Sequence, residues 1–217
     1  MTSSSTPRFA QVERGALCDT FLSVGPDAPT LCEGWTTADL ATHLVVRDGR
    51  PDLIVGPMLP VIGGVAKGQV RAIKHQPWPG LVEAVRSGPP RLSPVRIGKV
   101  DELVNHVEYF IHHEDVLRAQ PGALRREIPD AEQRALWRAL ARMAKLMFRK
   151  SAVGAVLIAP QGRVVAKAPT DLGSVDIAGR PGELLLAAYG RHAQADVTTT
   201  GGDQAVAALW SSKLGLA

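Results

Sequence analysis

The sequence predicts an α+β protein in which a four-helix bundle is followed by a small α+β module. Apolar residues recur at helical spacing through the first 150 residues, whereas short strand-like runs begin only after Ser151. Each spacing is typical of its element, and such a change along the chain favours an α+β class. A chain of 217 residues can hold a domain and an appendage. We therefore expect a helical bundle over residues 1–150 and an α+β module over residues 151–217.

The first predicted helix begins at Thr6-Pro7, where a capping hydroxyl precedes a proline at the first helical position. It should extend to about Ser23, since the turn-forming sequence GPDAPT follows. The spacing of its apolar residues predicts an inward face formed by Val12, Leu17 and either Phe21 or Leu22.

The second predicted helix begins at Thr36, with Asp39 three residues on as a weak form of the capping box. It must end near Pro51. Four of its residues share one face because they are spaced i, i+3, i+4 and i+7: Leu40, His43, Leu44 and Arg47. One histidine and one arginine therefore accompany two leucines on an inward stripe.

Four more helices are predicted before residue 151. Their expected ranges are Val61–Lys74, Gly80–Ser87, Val100–Arg118 and Asp130–Lys150. The sequence SGPPRLSP marks a loop before the third of them. Of the six helices predicted before residue 151, four are of useful length. These four can pack as an up-and-down bundle with one long irregular connection.

The last 67 residues alternate strand and helix signals. AVGAVLIA and RVVAKA flank Pro160-Gln161-Gly162, which predicts a β-hairpin. SVDIAG and ADVTTT are further short strands. PGELLLAAYG is a helix that begins at proline and ends at glycine, and DQAVAALWSSKLG is a final helix.

The composition argues against several classes of function. The net charge of +4 comes from basic residues spread along the chain beside acidic ones, which does not favour nucleic-acid binding. No signal peptide is recognisable, and no segment approaches the roughly 20 apolar residues that span a bilayer. With only Cys18 and Cys32, a disulfide framework is excluded. We expect a cytoplasmic protein that binds neither nucleic acid nor membranes.

The segment EYFIHHEDVLRA, residues 108–119, suggests a metal site. Glu108 and His112 are spaced i, i+4, so their side chains leave the same helix face one turn apart, as in helical zinc sites. Zinc accepts both imidazole nitrogen and carboxylate oxygen. A third ligand must come from another helix, and the inward-facing His43 is the best candidate. The plainer alternatives are a hydrogen-bonded core histidine and a solvated acidic helix face.

A competing pair lies in the same helix. Glu102 and His106 also have i, i+4 spacing, and the apolar stripe centred near Val107 separates them from Glu108 and His112. Each pair flanks the stripe on one side. The spacing does not decide between them.

Two charged residues fall close to that apolar stripe. Glu114 and Arg118 are again four residues apart, and a buried carboxylate needs a partner. Arg118 itself, or Arg47 from the earlier helix, could be that partner. The alternative is that this helix end is solvated. The sequence contains no P-loop, nucleophile elbow, C-x-x-C pair or dinucleotide fingerprint.

The segments LCEGWTTADLATHLVVRD and EYFIHHEDVLRAQPG together resemble the mycothiol-dependent maleylpyruvate isomerase metal-binding family, within the wider group of DinB-like bundles. The closest resemblance is to a branch with Leu-Cys-x-Gly-Trp before the first histidine and His-His-Glu-Asp in the later helix. The resemblance extends over nearly the whole chain. GRPGELLLAAYGRH looks like part of the C-terminal module that closes the isomerase's active site.

The resemblance implies that His43, Glu108 and His112 bind a divalent metal, typically zinc, and so favours this set over Glu102 and His106. It also implies a role for Arg191, which ends the motif LAAYGR. Three protein ligands leave a coordination position open, as in catalytic zinc sites. A small thiol, mycothiol, would bind there and be held as a thiolate against a small electrophile. Arg191 would hold a substrate carboxylate.

Two neighbours of His112 have further expected roles. Asp115 lies one turn on and could accept a hydrogen bond from a ligand imidazole, which is our own inference rather than a family property. His113 points about 100° away from His112 and should be a bystander or support a ligand.

The first functional hypothesis is a metal- and mycothiol-dependent thiol transferase or isomerase. The alternative is a non-catalytic metal-binding or thiol-sensing module. A third is a helical bundle for protein association that binds no metal.

Overall fold

The computed structural model describes residues 8–49, 63–88, 99–123 and 125–215, with backbone alone for residues 63–67 and 99–104. The chain divides into two compact units, Met1–Arg125 and Arg126–Ala217. The first is helical in its described parts and the second combines helices with a four-stranded sheet. The predicted α+β class is confirmed.

The described helices of the N-terminal unit lie close to the predicted ranges. They are α1 (Phe9–Val24), α2 (Thr37–Gly49), α3 (Gly63–Lys74), α4 (Trp78–Ser87) and α5 (Lys99–Leu117). The predicted start at Thr6-Pro7, the first two residues of Val61–Lys74 and most of the SGPPRLSP loop lie outside the described residues.

The core of this unit forms where α1 packs on α4 and α5 and where α2 packs on α4. Its fully buried side chains include Leu17, Phe21, Leu40, Leu44 and Tyr109. The expectation that Val12 is buried was wrong, since 62% of it is exposed. Val12 precedes Leu17 by five residues, which places it about 140° away around the helix.

The C-terminal unit contains the elements α6 (Asp130–Met147), β1 (Gly154–Ala159), β2 (Gly162–Lys167), β3 (Ser174–Gly179), α7 (Pro181–Ala188), β4 (Val197–Thr200) and α8 (Asp203–Trp210). The sheet order is β2-β1-β3-β4. Strands β1 and β2 form the predicted hairpin, with Ala159 opposite Gly162 across a two-residue loop. Strand β3 is parallel to β1 and antiparallel to β4.

Helix α6 packs on α7 and β2. The sequence-based boundary after residue 150 assigned this helix to the N-terminal bundle, whereas the compact units divide at residue 125. Its buried residues include Leu136, Leu140 and Met147. The DinB-like four-helix bundle stays a prediction. Among the described residues, no helix combines the length and apolarity needed to cross a membrane.

Candidate metal centre

The three predicted metal ligands converge on one carboxylate oxygen. Glu108 Oε1, on α5, lies 3.2 Å from Nε2 of His112, one turn further along the same helix. It lies 3.3 Å from Nε2 of His43, on α2. All three potential ligand atoms are within 4.8 Å of one another. Two helices therefore supply a compact set of two imidazoles and one carboxylate.

These spacings fit a divalent cation such as zinc. Zinc binds imidazole nitrogen and carboxylate oxygen at about 2.0–2.2 Å, so neighbouring ligand atoms of a tetrahedral site lie about 3.3–3.5 Å apart. The distances from Glu108 to the two histidines, 3.2 and 3.3 Å, are close to this range. The third separation, between the ring nitrogens of His43 and His112, is no more than 4.8 Å.

Glu108 is set up as an anionic ligand. Burial opposes its ionisation, but hydrogen bonds from His112 and His43 and the charges of His112 and Arg47 outweigh burial. Together they hold the pKa of Glu108 well below its usual range. Arg47 contributes directly, because its Nε lies 3.3 Å from Glu108 Oε1.

Arg47 ties the metal-binding carboxylate to a polar network between α2 and α5. Its Nη1 donates to Asn105 Oδ1 at 2.6 Å and to Asp48 Oδ1 at 2.8 Å. The hydroxyl of Tyr109 donates to the other oxygen of Asp48. Burial, and then the adjacent Asp48, raise the pKa of Tyr109 well above its usual value. The network anchors Glu108 to buried groups on both helices.

The other ring nitrogen of His112 is held by a buried carboxylate. His112 Nδ1 lies 3.0 Å from Oδ2 of Asp115, which is fully buried. The Cys32 thiol donates to the same oxygen at 3.2 Å. Burial disfavours the charged imidazole, but the hydrogen bonds with Asp115, Cys32 and Glu108 outweigh it and raise the pKa of His112. The contact expected between Asp115 and a ligand imidazole is present.

His113 belongs to a different network. Its Nε2 lies 2.9 Å from Thr20 Oγ1 and its Nδ1 lies 3.1 Å from Glu13 Oε2, both on α1. Adjacent residues of a helix point about 100° apart, which is why His113 faces α1 while His112 faces α2. His113 therefore links α5 to α1, and neither of these contacts involves the three predicted ligands.

In the competing pair, Glu102 and His106, the histidine faces α1. His106 is buried and stacks on the ring of Phe9, with ring centroids 5.2 Å apart. The side chain of Glu102 lies outside the described residues. The described part of the chain thus places His106 on the α1 side of α5.

The buried carboxylate of Glu114 is paired with Arg118, the residue that follows the end of α5. Arg118 Nε donates to Glu114 Oε2 at 2.5 Å, and both side chains are shielded from solvent. Of the two partners considered from the sequence, Arg118 contacts Glu114, while Arg47 contacts Glu108.

Two contacts of the site were missed by sequence reasoning. Cys32 donates to Asp115, the residue that pairs with His112. The indole of Trp35 lies beside the ring of His43 with centroids 5.4 Å apart. Both residues are part of the LCEGW segment. The motif was the available signal, but no spacing rule relates a loop residue to a distant helix.

Arg191 lies in the C-terminal unit, three residues after the end of α7. Its Nη1 donates to the carbonyl of Tyr189 at 2.6 Å. A role in binding a substrate carboxylate stays a prediction.

Comparison with known proteins finds likeness in structure. No protein-family model matches the sequence, and no curated protein matches it significantly. Two crystal structures are similar, those of the mycothiol-dependent maleylpyruvate isomerase and of a histidine-to-alanine mutant of that enzyme. Sequence identity is 18% and 17%, the TM-score is 0.58 for both, and the alignments cover 90% of this chain and 91% of the other. The chain therefore has a maleylpyruvate isomerase-like fold.

Proposed function

We propose that this protein is a metal- and thiol-dependent enzyme, a thiol transferase or isomerase that acts on a small electrophile. His43, Glu108 and His112 hold a divalent cation, most naturally zinc, and mycothiol is the thiol. The observation that carries the proposal is the convergence of two imidazole nitrogens on Glu108 Oε1, at 3.3 and 3.2 Å, from two helices. The solved structures of similar fold are of a mycothiol-dependent enzyme, which supports the choice of thiol.

The residues around the ligands suit this role. The metal would supply the acidity that holds a coordinated thiol as thiolate near neutral pH. Glu108 contributes a negative charge whose position Arg47 maintains. Asp115 would hold the proton on Nδ1 of His112, so that Nε2 could give up its own proton and offer its lone pair to the metal.

The three ligand side chains are partly exposed to solvent. The exposed fractions of the ligand side chains are 31% for His43, 21% for Glu108 and 12% for His112. A ligand could therefore approach from the His43 side, while His112 stays anchored. Arg191 would bind a substrate carboxylate through two parallel hydrogen bonds.

Metal analysis tests the first half of the proposal. Wild type, His43→Ala and His75→Ala would be purified from metal-replete medium and their zinc content measured. His75 is an exposed histidine and serves as the control. We expect close to one zinc ion per chain in wild type and His75→Ala, and a large loss in His43→Ala. Equally low zinc in all three would refute the metal site.

Thiol transfer tests the second half. The zinc-loaded protein would be incubated with mycothiol and a panel of small electrophiles, and thiol conjugates or isomerised products would be measured. We expect turnover in wild type that is lost in His43→Ala and on removal of zinc by a chelator. Zinc binding without turnover on any electrophile would instead indicate the non-catalytic metal-binding or thiol-sensing module.

A further inference from the structure

The loop between α1 and α2 contains a tight turn that the proposed function leaves unexplained. The N–H of Trp35 donates to the carbonyl of Cys32 at 2.9 Å, which closes a four-residue β-turn. Gly34, its third residue, has φ +74°, as a type II turn requires. The hydroxyl of Thr30 braces the turn, because it donates to the carbonyl of Trp35 at 2.9 Å and accepts from the N–H of Cys32 at 3.2 Å.

The two ends of this turn reach both imidazole ligands. At one end, the Cys32 thiol donates to Asp115 Oδ2, the oxygen that also pairs with His112 Nδ1. At the other end, the indole of Trp35 lies tilted against the ring of His43. The N–H of Leu31 donates to the carbonyl of Asp115 at 3.0 Å, so the backbone also fastens the turn to α5.

We propose that the Cys32–Trp35 turn positions both histidine ligands of the metal centre. The Cys32 thiol holds the carboxylate of Asp115 in the orientation that receives the Nδ1 proton of His112. Trp35 limits the rotation of the His43 ring. Both residues are positioning residues that act through the ligands. The inference rests on the proposed metal site and adds to it a positioning role for the LCEGW segment.

A different reading of the same contacts is a second cation site. Cys32, His112 and Asp115 also offer ligand atoms within 4.8 Å of one another. Such a site would need His112 to lose its Nδ1 proton while Nε2 binds the first ion. The separation of 3.0 Å between His112 Nδ1 and Asp115 Oδ2 is that of an N–H···O hydrogen bond, and a neutral imidazole that keeps this proton has a lone pair for one ion only. The geometry therefore favours positioning, and the second ion becomes an outcome of the test.

The thiol is tested with Cys32→Ala and Cys32→Ser, and with Cys18→Ala as the control. Cys18 is the other cysteine of the chain, and it is buried and donates to the carbonyl of Val82. Zinc affinity would be measured by competition with a chelating dye, and the ligand geometry by the visible spectrum of the cobalt-substituted protein. We expect Cys32→Ala to weaken zinc binding about 10-fold or more. Cys32→Ser should recover most of this loss because a hydroxyl also donates to Asp115.

Two results would overturn the positioning role of the Cys32 thiol. Wild-type affinity and an unchanged cobalt spectrum in Cys32→Ala would mean that the thiol positions nothing. Two zinc ions per chain in wild type, falling to one in Cys32→Ala with loss of a sulfur-to-cobalt charge-transfer band, would establish the second cation site instead.

The turn is tested with Gly34→Ala against Gly122→Ala. Gly122 lies in the same unit at φ +70°, and an added Cβ meets nothing within 4 Å at either glycine. The two substitutions therefore place an alanine at a similar positive φ in open surroundings. We expect similar decreases in the melting temperature of the metal-free protein, but weaker zinc binding in Gly34→Ala alone. Equal zinc affinity of the two variants would contradict the proposal.

The failures of the two proposals are distinguishable. A wild-type protein that binds no zinc would refute the proposed function and the positioning role together. Tight zinc binding by wild type, Cys32→Ala and Gly34→Ala alike would refute the positioning role and leave the proposed function standing.

Discussion

His112 Nδ1 lies 3.0 Å from Oδ2 of Asp115, three residues further along the same helix. This carboxylate is fully buried, so its charge faces the imidazole with little screening by water. A metal-binding histidine whose second nitrogen donates to a carboxylate is fixed in its tautomer and is a more basic ligand.

The first prediction concerns this pair. Asp115→Asn keeps the size of the side chain and removes its charge, so the basicity of His112 decreases. We expect zinc affinity to fall about 10- to 100-fold, as measured by chelator competition. Asp27→Asn, at an exposed aspartate of the same unit, is the control and should bind zinc like wild type. Equal affinities of the two variants would show that Asp115 does not support the ligand.

The second prediction is a dependence of zinc binding on pH. The pKa of His112 is raised, so the metal-free imidazole stays protonated into the neutral range, and zinc must displace that proton. Zinc affinity should therefore decrease as the pH falls through this raised pKa. Isothermal titration in buffers of different ionisation enthalpy would measure the released proton. Constant affinity from pH 5 to pH 8 would contradict the assignment.

The free energy of unfolding of the metal-free protein should depend on the ionisation of His112 and Glu108. The stabilisation by His112 is complete below its unfolded pKa of about 6.5 and is lost as the pH rises through its raised folded pKa. Glu108 has a depressed pKa, so its contribution is present above about pH 4.3 and is lost as the pH falls. Urea unfolding of metal-free protein from pH 4 to pH 9 should thus give a maximum between these limits.

The third prediction concerns Arg47, which joins Glu108 to Asp48 and Asn105. Arg47→Met removes the positive charge and leaves the buried carboxylate of Asp48 with one fewer donor. We expect the free energy of unfolding to decrease by about 1–3 kcal/mol.

The matched control is Arg86→Met. Arg86 donates to Asp19 at 2.7 Å, but 74% of the Asp19 side chain is exposed. Loss of this surface pair should cost less than about 1 kcal/mol. Equal costs for the two arginines, measured by urea unfolding at neutral pH, would mean that the network around Arg47 is no more than a surface ion pair.

The fourth prediction concerns the C-terminal unit. A Cβ added to Gly154, in β1, would lie 2.7 Å from the Cα of Pro169 and 2.9 Å from the carbonyl oxygen of Ala168. These are backbone atoms, so the strand must shift, and Gly154→Ala should cost about 1–3 kcal/mol. Gly15→Ala, in the interior of α1 with nothing within 4 Å of the new Cβ, should instead stabilise by about 0.5–1 kcal/mol. Thermal unfolding should show a lower melting temperature than wild type for Gly154→Ala and a higher one for Gly15→Ala.

Much of the local structure was predictable from short-range patterns. Helices α2 and α5 and the hairpin at Pro160-Gln161 lie within a few residues of their expected positions. The i, i+4 spacing of Glu108 and His112 likewise placed both on one face of a helix. These features depend on residues near one another in sequence, so a single helix or turn determines them.

The sequence by itself thus determined the α+β class and the course of the main helices and strands, and its resemblance to a known family selected the candidate ligand set. The tertiary structure decided which neighbour each face meets: α5 turns His112 towards α2 and His106 towards α1. It also decided that Arg47 contacts Glu108, that Cys32 contacts Asp115, and that α6 packs with the sheet. Periodicity gives the angle of a side chain around its own helix axis, but only the packed fold specifies what lies at that angle.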